Sequence, residues 1–125
     1  MSSPVVLCIE DDEAVRQVQT VVLQKAGYRV LEAATAAEAL QLLAAQNVDV
    51  VVADNMPGAT AGESLLAELK QRKPEVPILL CTGLLEPPLE ARFADAFLSK
   101  PGGTQALLEH VAALLARSRH RKKPH

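Results

Sequence analysis

Residues 47–62, NVDVVVADNMPGATAG, form an apolar run that ends on the carboxylate of Asp54 and then turns through Asn55, Pro57 and Gly58. Val50, Val51 and Val52 are consecutive β-branched residues, the pattern of a strand covered on both faces rather than of one lying on a surface. The Asn-Met-Pro-Gly sequence that follows ends the strand. A carboxylate in that place is either a turn or capping residue or a functional group presented at the rim of a sheet.

Four other segments have the same character: VVLCI after Pro4, YRVLEA from Tyr28, VPILLC from Val76 and DAFLS from Asp95. Between them, apolar residues recur at helical spacing over residues 12–26 (Val15, Val18, Val22, Leu23), 35–46 (Ala39, Leu40, Leu43), 62–73 (Leu65, Leu66, Leu69) and 104–117 (Leu107, Leu108, Val111, Leu114, Leu115). Thr35 with Glu38 has the spacing of a capping box, and Gly27 stands where a helix C-terminus favours a left-handed residue. This alternation predicts one α/β domain, a doubly wound parallel sheet of five strands with helices on both faces. Between the fourth and fifth strands, Pro87 and Pro88 leave room for at most a short helix near residues 88–94.

At 125 residues with 49% apolar content, the chain can bury a core. It contains no apolar run of membrane-spanning length and opens without a basic and then apolar leader, so a cytoplasmic protein is expected. Five of its 13 basic residues lie in the tail RSRHRKKPH, leaving eight basic against fifteen acidic residues elsewhere. A body of that charge repels nucleic acid, whereas the tail is a solvated end, a linker or a phosphate contact. With only Tyr28, Phe93 and Phe97 as aromatics, no base-stacking platform is available. Cys8 and Cys81 sit in apolar stretches without metal-ligand spacing and read as small core residues. No role is assigned to His110, His120 or His125.

In an open parallel sheet, functional groups gather at the carboxyl ends of the strands. Here the first strand ends in Glu10, Asp11, Asp12 and Glu13, the third at Asp54, the fourth at Thr82, and the fifth at Ser99, Lys100 and Pro101. Carboxylates crowded together repel unless some are protonated or a cation neutralises them. Oxygen ligands of this kind suit Mg²⁺, completed by water and phosphoryl oxygens. Taken singly, Asp54, Asp11 and Asp12 could each be caps or turn residues and Lys100 a surface lysine.

Together, CIEDDEAVR, VVVADNMPG, PILLCTG and DAFLSKP resemble the receiver domain of two-component response regulators, over residues 4–117 in order. The LCTG segment is most similar to receivers associated with hybrid sensor kinases. The resemblance implies a flavodoxin-like strand order 2-1-3-4-5. Asp54 would accept a phosphoryl group from a histidine kinase or phosphotransfer protein, with Mg²⁺ held by Glu10, Asp11, Asp54 and the Met56 backbone carbonyl. Asp12 ranks below Glu10 and Asp11 as a ligand. Lys100 and Thr82 would contact phosphoryl oxygens, a cis peptide at Pro101 would aim the lysine inward, and Thr82 with Phe97 would form the switch that signals to an output protein or domain. The implied order also puts a strand between Cys8 and Cys81, about 9.5 Å apart, too far for a disulfide.

The chain departs from this pattern in two places. Pro57 follows Asp54 by three positions, one fewer than is common in the family, which leaves Asn55 and Met56 as alternative sources of the metal-ligating carbonyl. Thr82 and Lys100 are 18 positions apart, about four fewer than usual, or roughly one helical turn. The fourth helix is therefore expected to be shortened or missing, with consequences for dimerisation and output, which the family commonly builds on that face. The expected organisation is a receiver over residues 4–117 and a basic tail over 118–125. Two other readings are a receiver that is never phosphorylated and serves as an interaction module, and a Mg²⁺-dependent phosphohydrolase. The second needs an acid two residues after the nucleophile, where Met56 stands.

Overall fold

The computed structural model describes residues 3–83, 86–99 and 103–122, with side chains through Arg117 in the last segment. Five strands, β1 (Val5–Ile9), β2 (Arg29–Ala33), β3 (Val50–Ala53), β4 (Ile78–Thr82) and β5 (Ala96–Ser99), form one parallel sheet in the order β2-β1-β3-β4-β5. Four helices accompany them: α1 (Glu13–Lys25), α2 (Ala36–Ala45), α3 (Leu65–Arg72) and α4 (Gly103–Lys122). The doubly wound architecture and its order are those expected. The final helix continues five residues beyond Arg117.

Alternation along the central strands divides the core. Leu7, Ile9, Val51, Ala53, Ile78 and Leu80 pack with Leu40, Leu43, Leu65, Leu66 and Leu69 of α2 and α3. On the other face, Val6, Val50, Val52, Leu79 and Cys81 pack with Leu23 of α1 and Leu107, Val111 and Leu114 of α4. Only β1, β3 and β4 are covered as the apolar runs suggest. At the edges, β2 and β5 keep partly exposed positions, including Arg29 and Glu32.

Helix ends follow local chemistry. Tyr28 N–H donates to Leu23 and Gly27 N–H to Gln24 past the end of α1, with Gly27 at φ 98°, which is the Schellman arrangement. Thr35 Oγ1 accepts from Glu38 N–H at 3.2 Å, while the Glu38 carboxylate accepts from Ala34, one residue earlier than in a standard capping box. The α3 helix begins at Leu65, capped by Ser64, rather than at Gly62, because residues 57–64 form a separate closed loop.

The helix α1 departs from the apolar stripe expected of it. Val18 is 56% and Val21 48% exposed, while Gln19 and Thr20 are buried. Gln19 is drawn inward because its amide bridges the two sulfurs: Cys8 Sγ donates to Oε1 at 3.0 Å, and Nε2 donates to Cys81 Sγ at 3.7 Å. Both cysteines are buried free thiols on strands separated by β3. In place of a full helix between β4 and β5 there is one 3₁₀ segment, Leu89–Phe93, with Leu89 84% exposed.

Candidate phosphoacceptor site

The ladder between β1 and β3 sets the centre of the site. Ile9 and Ala53 are partners in register, so Glu10 and Asp54 leave the sheet side by side. Both remain anchored to it, Glu10 N–H donating to Ala33 at 3.0 Å and Asp54 N–H to Ile9 at 3.1 Å. Carboxylate oxygens of Glu10, Asp11 and Asp54 lie within 4.8 Å of one another. Glu10 is buried, Asp54 half-buried and Asp11 exposed, so the cluster opens outward from the sheet rim.

The neighbouring acid has other work. Asp12 caps α1, its Oδ1 accepting from Val15 N–H at 3.1 Å, and its own N–H donates to Glu10 Oε2 at 3.1 Å. Arg16, one turn into α1, steadies the same loop: its Nη1 donates to the Glu10 carbonyl at 2.7 Å and its Nε pairs with Glu32 at 3.2 Å. Sequence patterning had not singled out Arg16, since a charged helix residue usually faces water.

The loop after Asp54 is held along its length. Asn55 N–H donates to Asp54 Oδ1 at 2.8 Å, and the Met56 carbonyl accepts from Leu65 at 3.2 Å, joining the loop to the first residue of α3. Glu68, in the first turn of that helix, is 5% exposed and accepts from Ala59 N–H at 2.7 Å and Thr60 N–H at 2.9 Å. Burial alone would raise its carboxyl pKa, but those donors and the nearby Arg72 outweigh it and hold the group below its ordinary 4.5. Glu68 also escaped the sequence reading, because its partners are backbone amides of a loop. A cleft of about 480 Å³ separates this loop from the 3₁₀ segment, with Asn55, Met56, Ser64, Leu89 and Phe93 in its walls.

Thr82 closes β4, paired with Ser99 of β5, and its side chain is buried. It follows Ile78 and Leu80 on the sheet face packed by α2 and α3, where Phe97, partnered with Leu80, is half-buried against the same cluster. Thr82 and Phe97 therefore share a face. Lys100 and Pro101 lie outside the described residues, and so does the cis peptide expected between them.

A different environment surrounds Cys8. Burial, followed by the charges of Glu32 and Glu10, pushes its thiol up to about 12. It is an unreactive neutral thiol at physiological pH.

Comparison with known proteins agrees with this geometry. Residues 6–112 match the family model of the response regulator receiver domain. The sensor kinase CckA of Brucella abortus is 35% identical over 121 residues, which are 90% of this chain and 13% of that protein. The response regulator protein FleR of Pseudomonas aeruginosa is 37% identical over 112 residues, 86% of this chain and 24% of that protein. The chain thus spans only a small part of these relatives. Among solved structures, the response regulator TrrA of Thermotoga maritima, determined in complex with Mg²⁺ and beryllofluoride, superposes with a TM-score of 0.78 at 26% identity, covering 89% of this chain and 98% of that one. Sheet order, the paired acids at the ends of β1 and β3 and the matched span lead to one assignment: the chain belongs to the response regulator receiver domain family of two-component signal transduction.

Proposed function

We propose that this receiver is a phosphorylatable switch in which Asp54 takes a phosphoryl group from a partner histidine kinase or phosphotransfer protein. The observation that carries the proposal is the approach of the Glu10, Asp11 and Asp54 carboxylates to within 4.8 Å. Three hard oxygen donors at that separation suit a small divalent cation that keeps several waters, and Mg²⁺ fits the set. The Met56 carbonyl, with one lone pair engaged by Leu65, has a second to offer the cation. When bound, Mg²⁺ would offset the carboxylate repulsion and the negative charge of the incoming phosphoryl oxygens.

The chain's own residues supply the rest. The Asp54 carboxylate attacks phosphorus in line. The new oxygen–phosphorus bond forms as the phosphorus–nitrogen bond of the donor breaks, and the imidazole leaves with the electron pair. Lys100 and the Thr82 hydroxyl would each contact a phosphoryl oxygen and stabilise developing charge. Phosphorylation then favours whichever arrangement of Thr82 and Phe97 binds the phosphoryl group better, and that population shift is the output signal. The only catalysis expected is slow hydrolysis of the protein's own aspartyl phosphate. Met56 provides no acid/base group two residues after the nucleophile, as an aspartate-based phosphohydrolase would need.

We place the receiver at residues 4–117, with residues 118–125 serving as a basic tail. The signal passes to an output protein or domain, and the site of action is the cytoplasm. Among the described residues no helix is long and apolar enough to cross a membrane.

Incubation with Mg²⁺ and acetyl phosphate should add about 80 Da, the mass of one phosphoryl group, to the native chain and nothing to Asp54→Asn. A wild-type protein that binds Mg²⁺ without gaining that mass would instead be an unphosphorylated interaction module.

A further inference from the structure

We infer that Glu68 is a positioning residue for the metal site: it clamps the β3–α3 loop from inside and thereby holds the Met56 carbonyl beside Asp54. The inference rests on the phosphoacceptor reading above and concerns how this chain sustains it with an altered loop. Pro57 comes early after Asp54, and four residues, Gly58 to Ala61, precede Gly62. A loop whose proline comes one position early needs something to fix its path.

Glu68 supplies it. Its two carboxylate oxygens accept separately from consecutive backbone amides, Ala59 at 2.7 Å and Thr60 at 2.9 Å. The backbone closes around this anion through Gly58 N–H to Glu63 at 2.8 Å, Glu63 N–H to Thr60 at 3.1 Å and the bridge between Pro57 and Ser64. Gly58 completes the fit. A Cβ there would fall on the Glu68 carboxylate, 2.7 Å from its Cδ and 3.1 Å from the Glu63 carbonyl oxygen. The absence of a side chain at position 58 thus gives the carboxylate its space. Because Leu65 N–H ties Met56 to the start of α3, a helix turn below is connected to the metal-facing backbone by one short, closed network.

Mg²⁺ titrations by calorimetry, with amide hydrogen exchange in the metal-free protein and thermal unfolding alongside, test this. Glu68→Ala should weaken Mg²⁺ binding about tenfold, the range for a group that orients a metal ligand, and Glu68→Gln, which keeps one acceptor oxygen, about threefold. Gly58→Ala should reproduce the loss by expelling the carboxylate. Gly58→Ala/Glu68→Ala should then bind no more weakly than Glu68→Ala, since both changes undo the same clamp. Exchange at residues 55–60 should quicken in each variant before any metal is added. If folded Glu68→Ala has a lower melting temperature but wild-type affinity, Glu68 is merely structural and the inference is overturned. A wild-type protein that binds no Mg²⁺ would overturn the metal reading itself, a distinct result.

Discussion

Adjacent residues of the same type have been given different tasks by the first turn of α1. Asp11 contributes an oxygen to the cluster, whereas Asp12 spends its carboxylate on the Val15 amide. Asp11→Ala should therefore weaken Mg²⁺ binding by an order of magnitude or more while leaving unfolding by urea little changed. Asp12→Ala should do the reverse, costing about 1 kcal/mol of stability as the loss of an N-cap does. Titration calorimetry and urea unfolding on both variants separate the two roles. The acidic run made this region legible as a site, yet EDDE alone does not say which carboxylate caps, since that depends on where the helix starts. The cysteines give a second residue-scale expectation. Cys8 is held neutral by burial and Cys81 sits beneath the Gln19 amide, so a thiol reagent such as Ellman's at pH 8 should leave the native protein essentially unlabelled. In denaturant without reductant it should find both thiols. Rapid labelling of native Cys8, or fewer than two thiols after denaturation, would contradict the buried Cys8–Gln19–Cys81 arrangement.

Strands were the most readable elements because a buried parallel strand is a continuous apolar run, and VVLCI, VVVA and ILLCT have little else to be. Helices were readable at capped ends and less so on their faces. Thr35 and Gly27 act where local patterns place them, but the buried stripe of α1 holds Gln19 in place of Val18, because hydrogen bonding to two sulfurs on the strands is invisible in helical periodicity. The Glu68 clamp escaped for the same reason. It also has a pH signature. The folded carboxyl is held below its ordinary 4.5, so its stabilisation is complete above that value and is lost as pH falls through the folded one. Glu68→Gln should be less stable than wild type at neutral pH by about 1.5 kcal/mol, the lower end for hydrogen bonds to a charged group. The two stabilities should converge on acidification below 4.5, as read by urea unfolding across that range. A gap independent of pH would mean that the charge at Glu68 contributes nothing.

At the scale of the molecule, the chain keeps the sheet that carries the site and shortens one covering layer. All five strands are present in receiver order, and Thr82 and Phe97 share the face packed by α2 and α3. Between β4 and β5, however, a 3₁₀ segment of five residues, Leu89–Phe93, replaces a full helix. Pro87 and Pro88 announced that shortening, since each removes a backbone donor a longer helix would need. Among the described residues, the face formed by this segment, β5 and α4 has no full helix between β4 and β5 to add an apolar surface. Among its described residues, Leu89 stands out at 84% exposure, beside Arg92 stacked 4.8 Å from the Phe93 ring centre. A projecting leucine by itself covers far less than the area a stable two-fold interface buries. Activation with Mg²⁺ and beryllofluoride should therefore leave the protein at the mass of one chain, 13.4 kDa, in light scattering, and not at twice that mass. A dimer packed through residues 86–117 would refute this expectation. A monomer would direct the search for output toward a partner that reads the rearranged Thr82–Phe97 face directly rather than through a second copy of the chain.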